Sequence, residues 1–231
     1  MSDRLIIERW NQNSAPWTSA VREGRIESRV RVTDAAIVDA IMQRKPGSVL
    51  DIGCGEGWLA RALSALDVDV LGIDVVPALI ESARQAKGGR YAVISQEELA
   101  RGAAAERFDV CVCNFSLLGG DVVEHLIAGI HRYINPGGAF IVQTLHPGSI
   151  GGGAEYRDGW REGSWAGIDA AFSEPAPWYF RTLQTWVSLY RKAGLRIEAL
   201  QETTHPDTHA LLSIILVGAP ERATLLDTTA P

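Results

Sequence analysis

Cysteine is scarce in this 231-residue chain, no apolar run approaches about 18 residues, and no charge block, repeat or low-complexity tract interrupts it. Each absence narrows the field. Three cysteines, Cys54, Cys111 and Cys113, make no disulfide framework, and an odd count suits a reducing compartment. Cys111 and Cys113 alternate within "FDVCVCN", so both point to one strand face, where cysteine packs as a small hydrophobe. No metal site is expected. Without a long apolar run there is no candidate membrane helix, and "MSDRLIIERW" is too charged for a signal-peptide core. A cytoplasmic location is therefore expected. Lys and Arg number 22 against 28 Asp and Glu, a net charge of −6. No global basic field collects nucleic acid or an anionic membrane, and neither partner is expected.

What is present is informative in its order. The length suits one well-buried core and is short for two domains, so residues 1–231 are read as a single domain. From residue 48 onward strand-like and helix-like stretches alternate. "SVLDIG" is a buried strand, followed by the helical spacing of Leu59, Ala60, Leu63 and Leu66. "VDVLGID", "YAVIS", "RFDVCVCN" and "AFIVQTL" read as further strands, separated by the helices "PALIESARQAK", "QEELARGAAA" and "DVVEHLIAGIHRYI". In the last helix Asp121 and Glu124 have capping-box spacing, and "NPGG" ends it. A final helix, "LQTWVSLYRKAGL", leads to two more strands. Such alternation predicts an α/β fold with a mostly parallel sheet covered on both faces. Residues 1–45 break the rhythm as a helical N-terminal cover. Residues 146–178 break it again, with much glycine and the aromatics Tyr156, Trp160, Trp165, Phe172 and Trp178. So long a segment without a period is read as a lid inserted after the fifth strand.

The turn in "VLDIGCGEGW" carries the chemistry. Gly53, Gly55 and Gly57 follow a strand and open a helix, so their N–H groups are expected to face a ligand. A P-loop is excluded because no Gly-Lys-Ser/Thr follows. The dinucleotide fingerprint wants its third glycine one residue later, where Trp58 stands. Asp51, two residues before the first glycine, would repel a pyrophosphate. A cation suits it instead. S-adenosylmethionine has an α-amino group, a sulfonium and no phosphate. Asp74 ends the second strand, 19 residues after Gly55, where an acidic residue holds ribose hydroxyls in doubly wound folds. Its alternative role is capping the helix "PALIESAR".

These motifs resemble those of the class I S-adenosylmethionine-dependent methyltransferases. "VLDIGCGEGW" is similar to that family's first motif, "LGIDVVPALIESAR" to its second-strand motif, "RFDVCVCNFSLL" to its fourth, and "INPGGAFIVQTLHP" to its fifth. The likeness runs in order over residues 48–218. It implies a Rossmann-like, doubly wound sheet of seven strands with the last antiparallel, and S-adenosylmethionine as cofactor. By the resemblance Gly53 and Gly55 contact the methionine part, Asp74 the ribose, Ser95 and Gln96 the adenine, and Asn114 and Phe115 the reactive end. Cys54, Trp58, Val75 and Ser116, beside them, complete the cofactor set with Asp51. Arg29 is a candidate for a carboxylate of cofactor or substrate, with a solvated helix face as its alternative.

The fourth strand ends in "NFSL" rather than the Asn-Pro-Pro-Tyr of amino-directed nucleic acid methylases. Glu124 and His125 fall inside a helix and are read as a cap and a partly exposed residue. The resemblance that remains is to bacterial small-molecule methyltransferases, so a small-molecule methyl acceptor is expected between the N-terminal cover and the lid. A tRNA or protein methyltransferase, or a cofactor-binding protein without catalysis, is the alternative. His146, directly after the fifth strand, is the candidate catalytic base, with a turn-fixing hydrogen bond as its rival role.

Overall fold

A computed structural model describes residues 1–149, 155–166, 168 and 171–221. Its strands are β1 (Ser48–Ile52), β2 (Asp69–Asp74), β3 (Arg90–Val93), β4 (Phe108–Asn114), β5 (Ile134–Leu145), β6 (Gly159–Arg161), β7 (Trp178–Phe180), β8 (Leu195–Thr204) and β9 (Leu211–Pro220). Seven of them form one sheet in the order β3-β2-β1-β4-β5-β9-β8. The first five pair in parallel, and β9 runs antiparallel to both β5 and β8. The expected fold is the one found. The order reverses at β1 and β4, which opens a crevice at their carboxyl ends.

The helices are α1 (Asp3–Gln12), α2 (Ser14–Arg22), α3 (Asp34–Met42), α4 (Trp58–Ser64), α5 (Pro77–Ala86), α6 (Gln96–Ala100), α7 (Asp121–Gly129) and α8 (Leu183–Lys192). A strand buried on both faces sends alternate side chains to opposite cores. In β4, Cys111 and Cys113 join Val123, Leu126 and Ile127 of α7 and Trp186 and Tyr190 of α8. Val110 and Val112 instead meet Ile37 and Ile41 of α3 and Leu59 and Leu63 of α4. All three cysteines are buried and unbridged.

Three local expectations need correction. Asp121 is the first helical residue of α7 and no cap, since Gly120 holds the cap position without a side-chain bond. The capping box belongs to α6, where Ser95 and Glu98 bond reciprocally. Helix α7 also stops at Gly129 in a single tight turn (Ile130–Tyr133), and β5 begins before "NPGG" completes. Pairing of Ile134 with Phe108 across the sheet outweighs the local break.

Residues 1–45 hold α1, α2, a wide π-helical turn (Arg29–Thr33) and α3. Within residues 146–178 the described part contains a short turn (Pro147–Ser149) and β6, which pairs with β7 (Trp178–Phe180) as a two-stranded ribbon. Residues 150–154, which include the three successive glycines 151–153, lie outside the described residues. No helix among the described residues is long and apolar enough to cross a membrane.

Candidate active site

The carboxyl ends of β1, β2 and β4 open into a cavity of about 1700 Å³. Ordinary ligand sites hold roughly 300–1,000 Å³, so this one has room for two molecules. Its walls include Arg29, Gly53, Cys54, Gly55, Trp58, Asp74, Val75, Ser95, Gln96, Asn114, Phe115 and Ser116. Asp51 lies just beneath, 1% exposed.

The glycine turn is built differently from the expectation. Gly53 and Cys54 donate their N–H groups to the Ile73 carbonyl, at 2.7 and 3.0 Å, and Gly57 donates to Cys54. Gly55 donates to Asp74 Oδ2 at 2.9 Å. Turn N–H groups spent within the protein are not available as a phosphate cradle. Glycine is still required. Gly53 has φ +77°, and a Cβ there would meet the Ser116 Cβ at 2.4 Å. Gly57 has φ +83°, and a Cβ would meet the Tyr91 hydroxyl at 2.7 Å.

Asp74 therefore fastens the turn while facing the cavity. Its Oδ1 accepts from the Val76 N–H at 2.9 Å, and Val76, not Asp74, holds the cap position of α5. Burial raises its pKa against the opposing N–H groups of Val76, Gly55 and Val75. Neighbouring loops are tied in turn. Gln96 Nε2 donates to the Ser116 carbonyl at 2.9 Å, and Ser116 Oγ donates to the Ile52 carbonyl at 2.5 Å. Phe115 takes φ +52° and donates its N–H to Gln143. Ser95 spends its hydroxyl on the α6 capping box.

Among the described residues, the buried polar atoms without partners around the cavity include Asp51 Oδ2, Asn114 Oδ1 and Arg29 Nη2, together with Thr33 Oγ1 and Arg181 Nε. Burial, then the charge of Asp74, pushes Asp51 up to about 7, against the pull of Arg29. The Cys54 thiol is likewise pushed up by burial and by Asp51 and Asp74. Arg29 is not on a solvated face. It is 8% exposed, bonds Asp34 through Nε at 3.0 Å, and lies 4.7 Å from the Trp58 ring centre and 5.6 Å from that of Trp17.

His146 is the largest departure. It does not line the cavity. Its Nε2 lies 2.6 Å from Glu202 Oε1 and its Nδ1 accepts from the Gly148 N–H at 2.9 Å. With both ring nitrogens engaged, the geometry favours its turn-fixing role over the expected base. His125 of α7 does line the cavity.

Another part of the cavity wall comes from α1 and from the segment around β7. Ile6, Ile7 and Trp10 line it together with Trp165, Trp178, Tyr179 and Phe180. The remaining insert aromatics act as staples: Trp160 packs edge-on against Tyr179, Tyr156 against Phe180, and Phe172 tilts over Trp165. Asn13, fully buried, joins the two covers. Its Nδ2 donates to the Arg9 and Glu174 carbonyls, and its Oδ1 accepts from Ser173 N–H and Oγ. Sequence reasoning missed Asn13, and also Glu56, whose buried carboxylate is held by Arg22 and Arg61. Each also has a partner distant in the chain, Ser173 and Glu174 for Asn13 and Arg22 for Glu56, which no local pattern reveals.

A family model described as a methyltransferase domain matches residues 27–222. Among curated proteins, the malonyl-(acyl-carrier protein) O-methyltransferase of Pseudescherichia vulneris is 30% identical over 108 residues, covering 47% of this chain and 43% of that protein. The ubiquinone biosynthesis O-methyltransferase of Cereibacter sphaeroides is 36% identical over 109 residues, covering 42% and 41%. The chain thus spans less than half the length of these relatives. Among solved structures, the 1,6-didemethyltoxoflavin-N1-methyltransferase of Burkholderia thailandensis superposes with TM-score 0.62 at 16% identity, covering 89% of this chain and 85% of that one. A methyltransferase of Mesorhizobium loti gives 0.60 at 23% identity, covering 78% and 95%.

Proposed function

Because the chain belongs to the methyltransferase-domain family, we propose that it moves the methyl group of S-adenosylmethionine onto a small-molecule acceptor. One observation carries this reading: Asp51 Oδ2, Asn114 Oδ1 and Arg29 Nη2, at the end of the cavity beside the glycine turn, are among its unpartnered buried atoms. Two acceptors and one donor are what an ammonium and a carboxylate need, and the amino-acid end of this cofactor has both. When bound, the cofactor supplies a methyl group on positively charged sulfur. Asp51 and Asn114 hold the ammonium, Arg29 the carboxylate and Asp74 the ribose hydroxyls. The aromatic walls exclude water and fix the acceptor against the methyl, and orientation of that kind contributes on the order of 7–11 kcal/mol in favourable systems. His125 takes the proton released by the acceptor. Both curated relatives are O-methyltransferases by name, which supports an oxygen as the atom methylated. Calorimetry tests the core of the proposal. S-adenosylhomocysteine is expected to bind and NAD is not; the reverse result overturns it.

A further inference from the structure

Arg181 follows β7 and leads into α8, and it is the largest of the fully buried side chains. Its Nη1 donates to the Gly119 carbonyl at 2.8 Å and its Nη2 to the Gly120 carbonyl at 2.7 Å. That clamp uses two nitrogens and leaves Nε without a partner. It also leaves the guanidinium without an ion pair among the described residues. Asp3 is spent on the Gly120 N–H, Asp158 on Thr182 and Thr185, and Glu124 is exposed on α7. None of them forms an ion pair with the guanidinium, and burial lowers the Arg181 pKa despite their field. Other buried charges among the described residues do have ion pairs within the protein: Arg29 has Asp34, and Glu56 has Arg22 and Arg61. A buried cation held only by carbonyls and by carboxylates out of contact is costly, and an anion from outside the chain would offset that cost.

Arg181 forms part of the cavity wall beside Tyr179 and Trp186. Its guanidinium lies 4.8 Å from the first ring centre and 5.5 Å from the second. Flat apolar surfaces flank an unpaired positive charge. We propose that Arg181 receives an anionic oxygen of the acceptor, so that the acceptor is a planar organic anion such as an aromatic or conjugated carboxylate. This inference rests on reading the chamber as the acceptor site.

The test uses protein saturated with S-adenosylhomocysteine and two probes of one shape, cinnamate and its neutral amide, compared by equilibrium dialysis. Cinnamate is expected to bind at least about tenfold more tightly, the worth of one charge-assisted hydrogen bond. The preference should vanish in Arg181→Met, return in part in Arg181→Lys, and survive Arg4→Ala, which removes another cation of the wall. Equal affinities, no binding of cinnamate, or a preference that outlives Arg181→Met overturns the inference. Where Arg181→Met does not fold, the wild-type ratio decides. Wild-type protein that fails to bind S-adenosylhomocysteine refutes the methyltransferase reading itself, whereas binding without anion preference refutes only the role of Arg181.

Discussion

Asp51 lies one residue before the end of β1 and Asp74 ends the neighbouring parallel strand β2, and their environments divide the work between them. Asp74 has N–H partners, whereas Asp51 has an unpartnered oxygen and a pKa pushed up to about 7. A raised carboxyl pKa means the folded protein holds a proton the unfolded chain has lost. Stability therefore falls as pH rises from the unfolded value toward 7 and stays low above it. A bound ammonium reverses the preference by favouring the carboxylate. Affinity for S-adenosylhomocysteine is expected to climb with pH, by up to about tenfold per unit, and to level off above roughly pH 7. Asp51→Asn should flatten that profile, weaken binding at pH 8 and stabilise the free protein there. A profile unchanged by the substitution would remove Asp51 from the ligand site. For Asp74, the probe is adenosine, which has the ribose without the amino acid. Asp74→Ala is expected to weaken adenosine binding at least about tenfold; intact binding would confine Asp74 to fastening the glycine turn.

Two separate elements, α1 and the insert, form one cover because Asn13 bonds both and Arg9 pairs with Glu174. Trp10 extends the join by packing edge-on against Trp17 at 5.0 Å and Trp165 at 5.7 Å. Asn13→Ala would leave the Ser173 N–H and the Glu174 carbonyl unsatisfied, a cost of about 1–3 kcal/mol. Amide exchange at residues 171–176 should quicken in that variant while β1 and β4 stay protected. Equal exchange in variant and wild type would show that the aromatic contacts and the Arg9–Glu174 pair hold the cover without Asn13. His146 belongs to this scale too, since it joins the end of β5 to Glu202 of β8. Once an acceptor is in hand, His146→Gln should cost stability and leave turnover within a few fold. His125→Gln should lower turnover by about 10²–10⁴. Exchanged outcomes would restore His146 as the base.

For the molecule as a whole, a cavity of about 1700 Å³ between sheet and cover makes ligand binding a structural event. A ligand that binds only the folded state stabilises it by about 2.7 kcal/mol at a hundred times its dissociation constant. S-adenosylhomocysteine should therefore raise the melting temperature and slow exchange in α1 and around β7 together. Protection of the glycine turn without the cover would mean that cofactor and cover are uncoupled.

Much of this was legible in the chain because its determinants are local. Alternation of apolar residues marked β4 and sent its cysteines inward, and helical spacing marked α4, α5 and α8. The aspartate before an early third glycine argued against a phosphate ligand, a conclusion the spent N–H groups of the turn reach independently. Other features depend on partners far apart in sequence. Asn13 acts through residues 160 positions away, Arg181 through Gly119 and Gly120, and His146 through Glu202. Period and motif register the burial of a face. Which buried polar atom finds a partner, and which is left waiting for a ligand, is decided only when distant segments are packed together, because a hydrogen bond is satisfied by distance and direction in space.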